Sequence, residues 1–236
     1  MRMRERPSPN HDARPGDGVT DMLVLHYTGM RSAAEAIDRL CSAEAKVSAH
    51  YVIDEDGTLW RLVPEERRAW HAGVSAWSGR RDINGASIGI ELVNPGHEFG
   101  YRPFPDAQMA ALEALARDIL RRHPVPARHV LAHSDVAPQR KTDPGELFDW
   151  ARLARAGIGL WPDFAAVPPP APSIAALQDQ LAAIGYDTPR SGVEDAQTTQ
   201  VITAFQRHFR PQCCDGSTDA ETRQRIAAVA AAIATS

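Results

Sequence analysis

Nine histidines stand in a chain of 236 residues, and their spacing governs which of them can meet. His26 lies in the stretch VLHYT, on the strand face shared with Met22 and Val24, while Leu23 and Leu25 point the other way. His133 closes the stretch HVLAH, and Asp143 follows ten residues later in AHSDVAPQRKTDPG. A loop of that length can return a carboxylate to an imidazole. Two histidines and one carboxylate leave a fourth tetrahedral position for water, the donor set of hydrolytic zinc. Zinc held in this way lowers the pKa of its water to about 7 and polarises a substrate carbonyl. A lone strand histidine more often fills a core, so spacing alone leaves the meeting of the three open.

Two further side chains suit hydrolysis. In SIGIELV, Ile88, Ile90 and Leu92 share one strand face and put Glu91 on the other, beside Gly89 and Val93. Burying a carboxylate there is costly unless it is paired or near a cation. Beside a metal-activated water it is a general base; otherwise it is a carboxylate at an exposed edge or in a structural ion pair. Lys141, two residues before Asp143, offers positive charge to a developing oxyanion, or is a solvated loop cation.

Such residues need a frame to hold them. Met22–Tyr27, His50–Asp54, Thr58–Leu62, Ser87–Val93 and His129–His133 are short, rich in β-branched or aromatic residues and bounded by turn formers, which predicts strands. The stretch Asp54-Glu55-Asp56-Gly57 reads as a hairpin turn. Helices are predicted over Ser32–Leu40 and Asp106–Arg122, the second with Met109, Leu112, Leu115, Ala116, Ile119 and Leu120 on one stripe, Pro105 at its start and His123-Pro124 at its end. The pattern predicts an α/β (α+β) fold with a mixed central sheet flanked by helices.

Five prolines crowd PDFAAVPPPAPS and exclude helix. They predict a spacer over 162–173 between a catalytic part, 1–161, and a small three-helix part, 174–236. In the small part Ile174, Leu177, Leu181 and Ile184 follow an N-cap candidate, Ser173, and precede a C-cap candidate, Gly185. The patterns Gly192-x-x-Asp195-Ala196-x-Thr198 and Gly216-x-x-Asp219-Ala220-x-Thr222 repeat at identical offsets, each a turn glycine and an Asp N-cap, and point to an internal duplication.

Composition removes other classes. With 26 Lys+Arg against 30 Asp+Glu the net charge is −4, so no basic field exists to hold nucleic acid. No apolar run reaches the ~18 residues of a membrane span. The basic start, Met1 to Glu5, is followed by a polar stretch and not by the apolar core of an export signal. Cys41, Cys213 and Cys214 are odd in number and lack C-x₂₋₄-C pairing, which fits free thiols in a reducing cytoplasm.

Taken together and in order, SPNHDARP, VLHYTG, SAHYVIDEDG, AWHAG, SIGIELVNPG and HSDVAPQRKTDPG carry a specific resemblance. From Ser8 to about Pro162 the chain resembles the zinc-dependent N-acetylmuramoyl-L-alanine amidases of the type-2 amidase family, which includes muropeptide-recycling enzymes. The resemblance implies zinc ligands at His26, His133 and Asp143, a catalytic base at Glu91 and a transition-state-stabilising cation at Lys141. The third ligand is Asp in this branch and Cys in phage-type relatives. His71 and Trp70 fall where they would line the substrate cleft, and His50 is not a ligand in the family. The other five histidines receive no role.

The stretches LQDQLAAIGY, AFQRHFRP and DGSTDAET resemble a duplicated three-helix peptidoglycan-binding module. Ser191-Gly192 replaces the usual Asp-Gly, and Asp195 stands where Gly is common, which sets glycan binding against a purely bracing role. The implied reaction is hydrolysis of the amide between N-acetylmuramic acid and the L-Ala of a stem peptide. The expected partner is a muropeptide or peptidoglycan, with neither nucleic acid nor a membrane span, and the sequence sets no oligomeric state. The missing export signal favours soluble anhydro-muropeptides in the cytoplasm, whereas a wall-binding module favours polymeric peptidoglycan in the periplasm. A non-catalytic peptidoglycan sensor would have lost ligands or base, and none is missing here.

Overall fold

A computed structural model describes residues 3–16, 18–164 and 172–235. Among them the strands are β1 (Met3–Glu5), β2 (His11–Ala13), β3 (Met22–Tyr27), β4 (Tyr51–Ile53), β5 (Leu59–Arg61), β6 (Arg67–Ala69), β7 (Ser87–Leu92) and β8 (Val130–Ala132). The helices are α1 (Ala33–Leu40), α2 (Ile83–Ala86), α3 (Gly96–Phe99), α4 (Asp106–Arg122), α5 (His133–Val136), α6 (Trp150–Arg155), α7 (Ile174–Ile184), α8 (Ala196–Phe209) and α9 (Ala220–Ala234). Six strands form one sheet in the order β1-β5-β4-β7-β3-β8, and β2 pairs with β6 in a separate ribbon. Only β4 and β5 run antiparallel within the large sheet, so it is mixed, as the sequence predicts.

Strand alternation decides what covers each face. Leu23, Leu25, Ile88 and Ile90 meet Met109, Leu112 and Ile119 of α4 in one core. Met22 and Val24 point to the opposite face, where they join Leu177, Leu181, Phe205 and Ile226 of the C-terminal helices. The three-helix part therefore has no core of its own and shares one with the sheet. Residues 165–171 of the expected proline spacer lie outside the described residues.

Caps and turns follow the sequence closely. Ser32, Ser173, Asp195 and Asp219 each accept a backbone N–H of the following turn. Gly57 closes the hairpin between β4 and β5 at φ +82°. The repeat also carries matched glutamines. Gln178 accepts the N–H of Gly192 and donates to Thr198, and Gln206 accepts the N–H of Gly216 and donates to Thr222. Both glutamines are fully buried. Strand β1 was not predicted: three exposed residues show no alternation, and only its parallel pairing with β5 makes it a strand.

Candidate metal centre and active site

Strands β8, β3 and β7 run parallel and side by side, and their carboxyl ends assemble the site. His26 stands directly opposite Glu91 in the register of β3 and β7. Leu25 stands opposite Ala132 of β8, so His133, the next residue, emerges beside His26. Ligands of open α/β sheets collect at this edge. The turn into α5 is fixed by Asp135, whose carboxylate accepts the N–H of Ala132 at 2.8 Å. Asp143 is returned to the site by its own carbonyl, which accepts the N–H of Ser134 at 3.0 Å.

The expected triad converges. His26 Nδ1, His133 Nδ1 and Asp143 Oδ2 lie 2.9, 3.1 and 3.0 Å from one another, all buried. The partners of the other ring nitrogens fix the tautomers. The Ser87 hydroxyl donates to the Ile83 carbonyl at 2.6 Å, so at 3.2 Å it accepts from His71 Nε2. His71 Nδ1 is then an acceptor, and His26 Nε2–H donates to it at 3.0 Å. His133 Nε2–H donates to the Ala72 carbonyl at 3.1 Å. Both Nδ1 atoms therefore carry lone pairs, and these face a carboxylate oxygen. Three acceptors pointed at one another repel unless a cation lies between them. Ligands about 2.0–2.2 Å from a tetrahedral ion sit roughly 3.4 Å apart, close to the separations here. Outer hydrogen bonds of this kind orient metal-bound imidazoles. The residues fit a metal ion.

Burial first, then His133, pushes His26 down to about 4, so the ring is neutral at pH 7. Burial alone would raise the Asp143 carboxyl, but positive charge at His133 and His26 would hold it well below the ordinary range, the effect that a cation between the three groups has when the rings are neutral. Glu91 goes the other way. Burial and the negative charge of Asp143 push it well up, with Lys141 opposing. Its Oε2 is buried without a hydrogen-bond partner, while the residue borders a cleft of about 360 Å³ shared with His133, Lys141 and Asp143.

Trp70 and His71 also line this cleft. The Trp70 indole N–H donates to Asp12 at 2.8 Å, which locks the ring. His71 is tied to His26 as well as facing the cleft. Its ring packs so tightly on Gly89 that a Cβ there would collide with it, which explains a glycine in the middle of β7. His50 is structural: Nδ1 accepts the N–H of Gly89 at 2.9 Å and Nε2 reaches the Arg67 carbonyl at 3.0 Å. Sequence reasoning missed Arg39, Tyr27 and Arg140, which line the same cleft. The Tyr27 hydroxyl meets Thr142 at 2.9 Å, and Arg140 donates to the carbonyls of Ala72 and Val74. A tyrosine after a strand histidine and arginines near helix ends carry no local signal that separates them from ordinary surface residues.

Fold and site define a hydrolase: an acceptor cluster for a cation, in one cleft with a half-buried carboxyl that has one unpartnered oxygen. Residues 16–146 match the N-acetylmuramoyl-L-alanine amidase family, and residues 170–226 match a peptidoglycan binding domain. The N-acetylmuramoyl-L-alanine amidase AmiD of Escherichia coli K12 is 41% identical over 224 residues, covering 86% of this chain and 79% of that protein. The 1,6-anhydro-N-acetylmuramyl-L-alanine amidase AmpD of Enterobacter cloacae is 39% identical over 167 residues, 64% of this chain and 87% of its own. The structure of E. coli AmiD with anhydro-N-acetylmuramic acid-L-Ala-D-γ-Glu-L-Lys superposes with a TM-score of 0.78 at 38% identity, covering 95% of this chain and 91% of that one. AmpDh3 of Pseudomonas aeruginosa gives 0.79 at 35% identity, covering 95% and 94%. The chain belongs to the N-acetylmuramoyl-L-alanine amidase family.

Proposed function

We propose that this protein hydrolyses the amide between N-acetylmuramic acid, in its 1,6-anhydro form, and the L-Ala of a stem peptide, using zinc held by His26, His133 and Asp143, in cytoplasmic cell-wall recycling. The observation that carries the reading is the meeting of two imidazole lone pairs and a carboxylate beside the unpartnered oxygen of Glu91. Zinc, when bound, supplies a Lewis acid to the scissile carbonyl and acidifies a water. Glu91 Oε2 takes the proton of the attacking water and returns it to the leaving nitrogen, a task suited to a carboxyl that burial and Asp143 raise above the ordinary range. Lys141 brings a cation to the oxyanion. His71 holds the His26 tautomer and borders the substrate, and Trp70 offers it an aromatic face. The relatives named for anhydro-muramyl substrates support the sugar form. Three unpaired thiols suit a reducing compartment.

The division of labour follows the sequence: residues 1–161 for catalysis, 162–173 as spacer and 174–236 as a peptidoglycan-binding-like part. That last match favours a second reading, action on polymeric peptidoglycan outside the cytoplasm. Purified protein incubated with anhydro-muropeptides or intact sacculi, with stem peptides followed by mass spectrometry, tests both. Release from anhydro-muropeptides, abolished by a chelator and restored by zinc, is the expected result. Cleavage of sacculi alone sinks the recycling role, and binding without cleavage makes the protein a sensor.

A further inference from the structure

The cleft is lined by Glu91, His133, Asp143 and Lys141 and by a second group, Leu40, Val47, Trp70 and Arg39. Leu40 and Val47 belong to a separate apolar cluster with Ile37 and Val52, and Ser48, next to Val47, donates its N–H to the Trp70 carbonyl. Three cations thus border the cleft, and two are occupied. The Arg140 guanidinium is held by the backbone carbonyls of Ala72 and Val74, and the charge of Lys141 acts on Glu91. Arg39 sits in the last turn of α1 and is exposed. The two acids of α1 are engaged elsewhere. Glu35, four residues before it, accepts the N–H of Arg31 at 3.2 Å, and Asp38 pairs with Arg6 at 3.2 Å. Among the described residues no carboxylate forms an ion pair with Arg39. The two carboxylates of the cleft, Glu91 and Asp143, belong to the catalytic group.

We propose that Arg39 is a specificity-determining residue that receives the free α-carboxylate of a γ-linked acidic residue, the second residue of the stem peptide. The inference rests on the amidase reading above and deepens it. A γ-linked glutamate spends its side-chain carboxyl on the amide to the next residue, so its α-carboxylate remains as a negative charge on the peptide. Two residues of extended chain carry that charge about 7 Å from the scissile amide, away from Glu91 and Asp143, which would repel it. A planar guanidinium matches a carboxylate with two parallel hydrogen bonds, which a lysine cannot do.

The test uses the zinc-loaded full chain and two substrates differing at one group. These are anhydro-N-acetylmuramoyl-L-Ala-γ-D-Glu-L-Lys and the same tripeptide with the α-carboxylate converted to a carboxamide. The wild type should cleave the acid with a kcat/KM about 10- to 100-fold above the amide, the weight of a charged hydrogen bond. In Arg39→Gln the acid should fall to the level of the amide through KM, with kcat nearly unchanged and the amide unaffected. Arg39→Lys should recover part of the preference. Arg39→Gln that still prefers the acid, or that loses the same factor on both substrates, overturns the assignment. Equal cleavage of both by the wild type overturns it while leaving the amidase reading intact. Cleavage of neither removes both.

Discussion

At the scale of single residues, the site is a set of commitments about protons. Ser87 decides what His71 accepts, His71 decides what His26 donates, and the outcome is a lone pair on His26 Nδ1. Glu91 is the one acidic group at the cleft floor left without a partner for an oxygen. Glu91→Ala should lower kcat by about 10²–10⁴-fold while zinc content, measured by elemental analysis, stays at one equivalent. Near-normal turnover would remove Glu91 from the mechanism. His50 makes a separate prediction about stability. Burial first, and Arg14 second, push it from 6.5 down to about 3. The unfolded chain therefore takes up a proton near pH 6.5 that the folded chain refuses until about pH 3. Stability from this group is complete above pH 6.5 and is lost as pH falls through that window, by up to about 1.4 kcal/mol per unit. Urea midpoints between pH 7 and pH 5 should fall accordingly, and less steeply in His50→Gln.

At the scale of elements, the sequence was legible wherever a pattern repeats. The period of α4, the alternation in β3 and β7, and the Asp caps at 195 and 219 all appear where expected. The members of the triad were visible one at a time, as a strand histidine and a His-x₉-Asp loop, but spacing left their meeting open and only the family resemblance brought them together. What joins them, the opposition of His26 to Glu91 and of Leu25 to Ala132, belongs to strand order and has no local trace. Short elements such as β1 and the four-residue α5 escape for the same reason: neighbours create them, not their own composition. The duplication carries a signal that motif spacing undersold. Gln206 satisfies Gly216 and Thr222 as Gln178 satisfies Gly192 and Thr198. Gln206→Ala strands those buried groups and should cost about 1–3 kcal/mol. Thermal unfolding measures it, and a change within error would show that water fills the gap.

At the scale of the whole molecule, one hydrophobic cluster runs from Met22, Val24 and Trp77 to Leu181, Phe205 and Ile226. Unfolding should therefore be a single transition, with near- and far-ultraviolet circular dichroism coinciding. Phe205→Ala should lower that one midpoint by the equivalent of about 3–5 kcal/mol, and two separated transitions would contradict the shared core. Polar contacts reinforce the joint. Asp135, wholly buried, accepts Tyr186 Oη–H at 2.6 Å and His208 Nδ1–H at 2.7 Å, and His208 stacks on Trp150 at 3.7 Å. That carboxylate lies two residues from His133, a proposed zinc ligand, so the C-terminal helices are not a cassette. A module grafted in their place would have to present a hydroxyl and an imidazole at the same point, or leave a buried carboxyl group with only the Ala132 N–H as a partner. Chimeras of this chain are thus governed by the compatibility of Asp135, Tyr186 and His208 rather than by where the linker is cut.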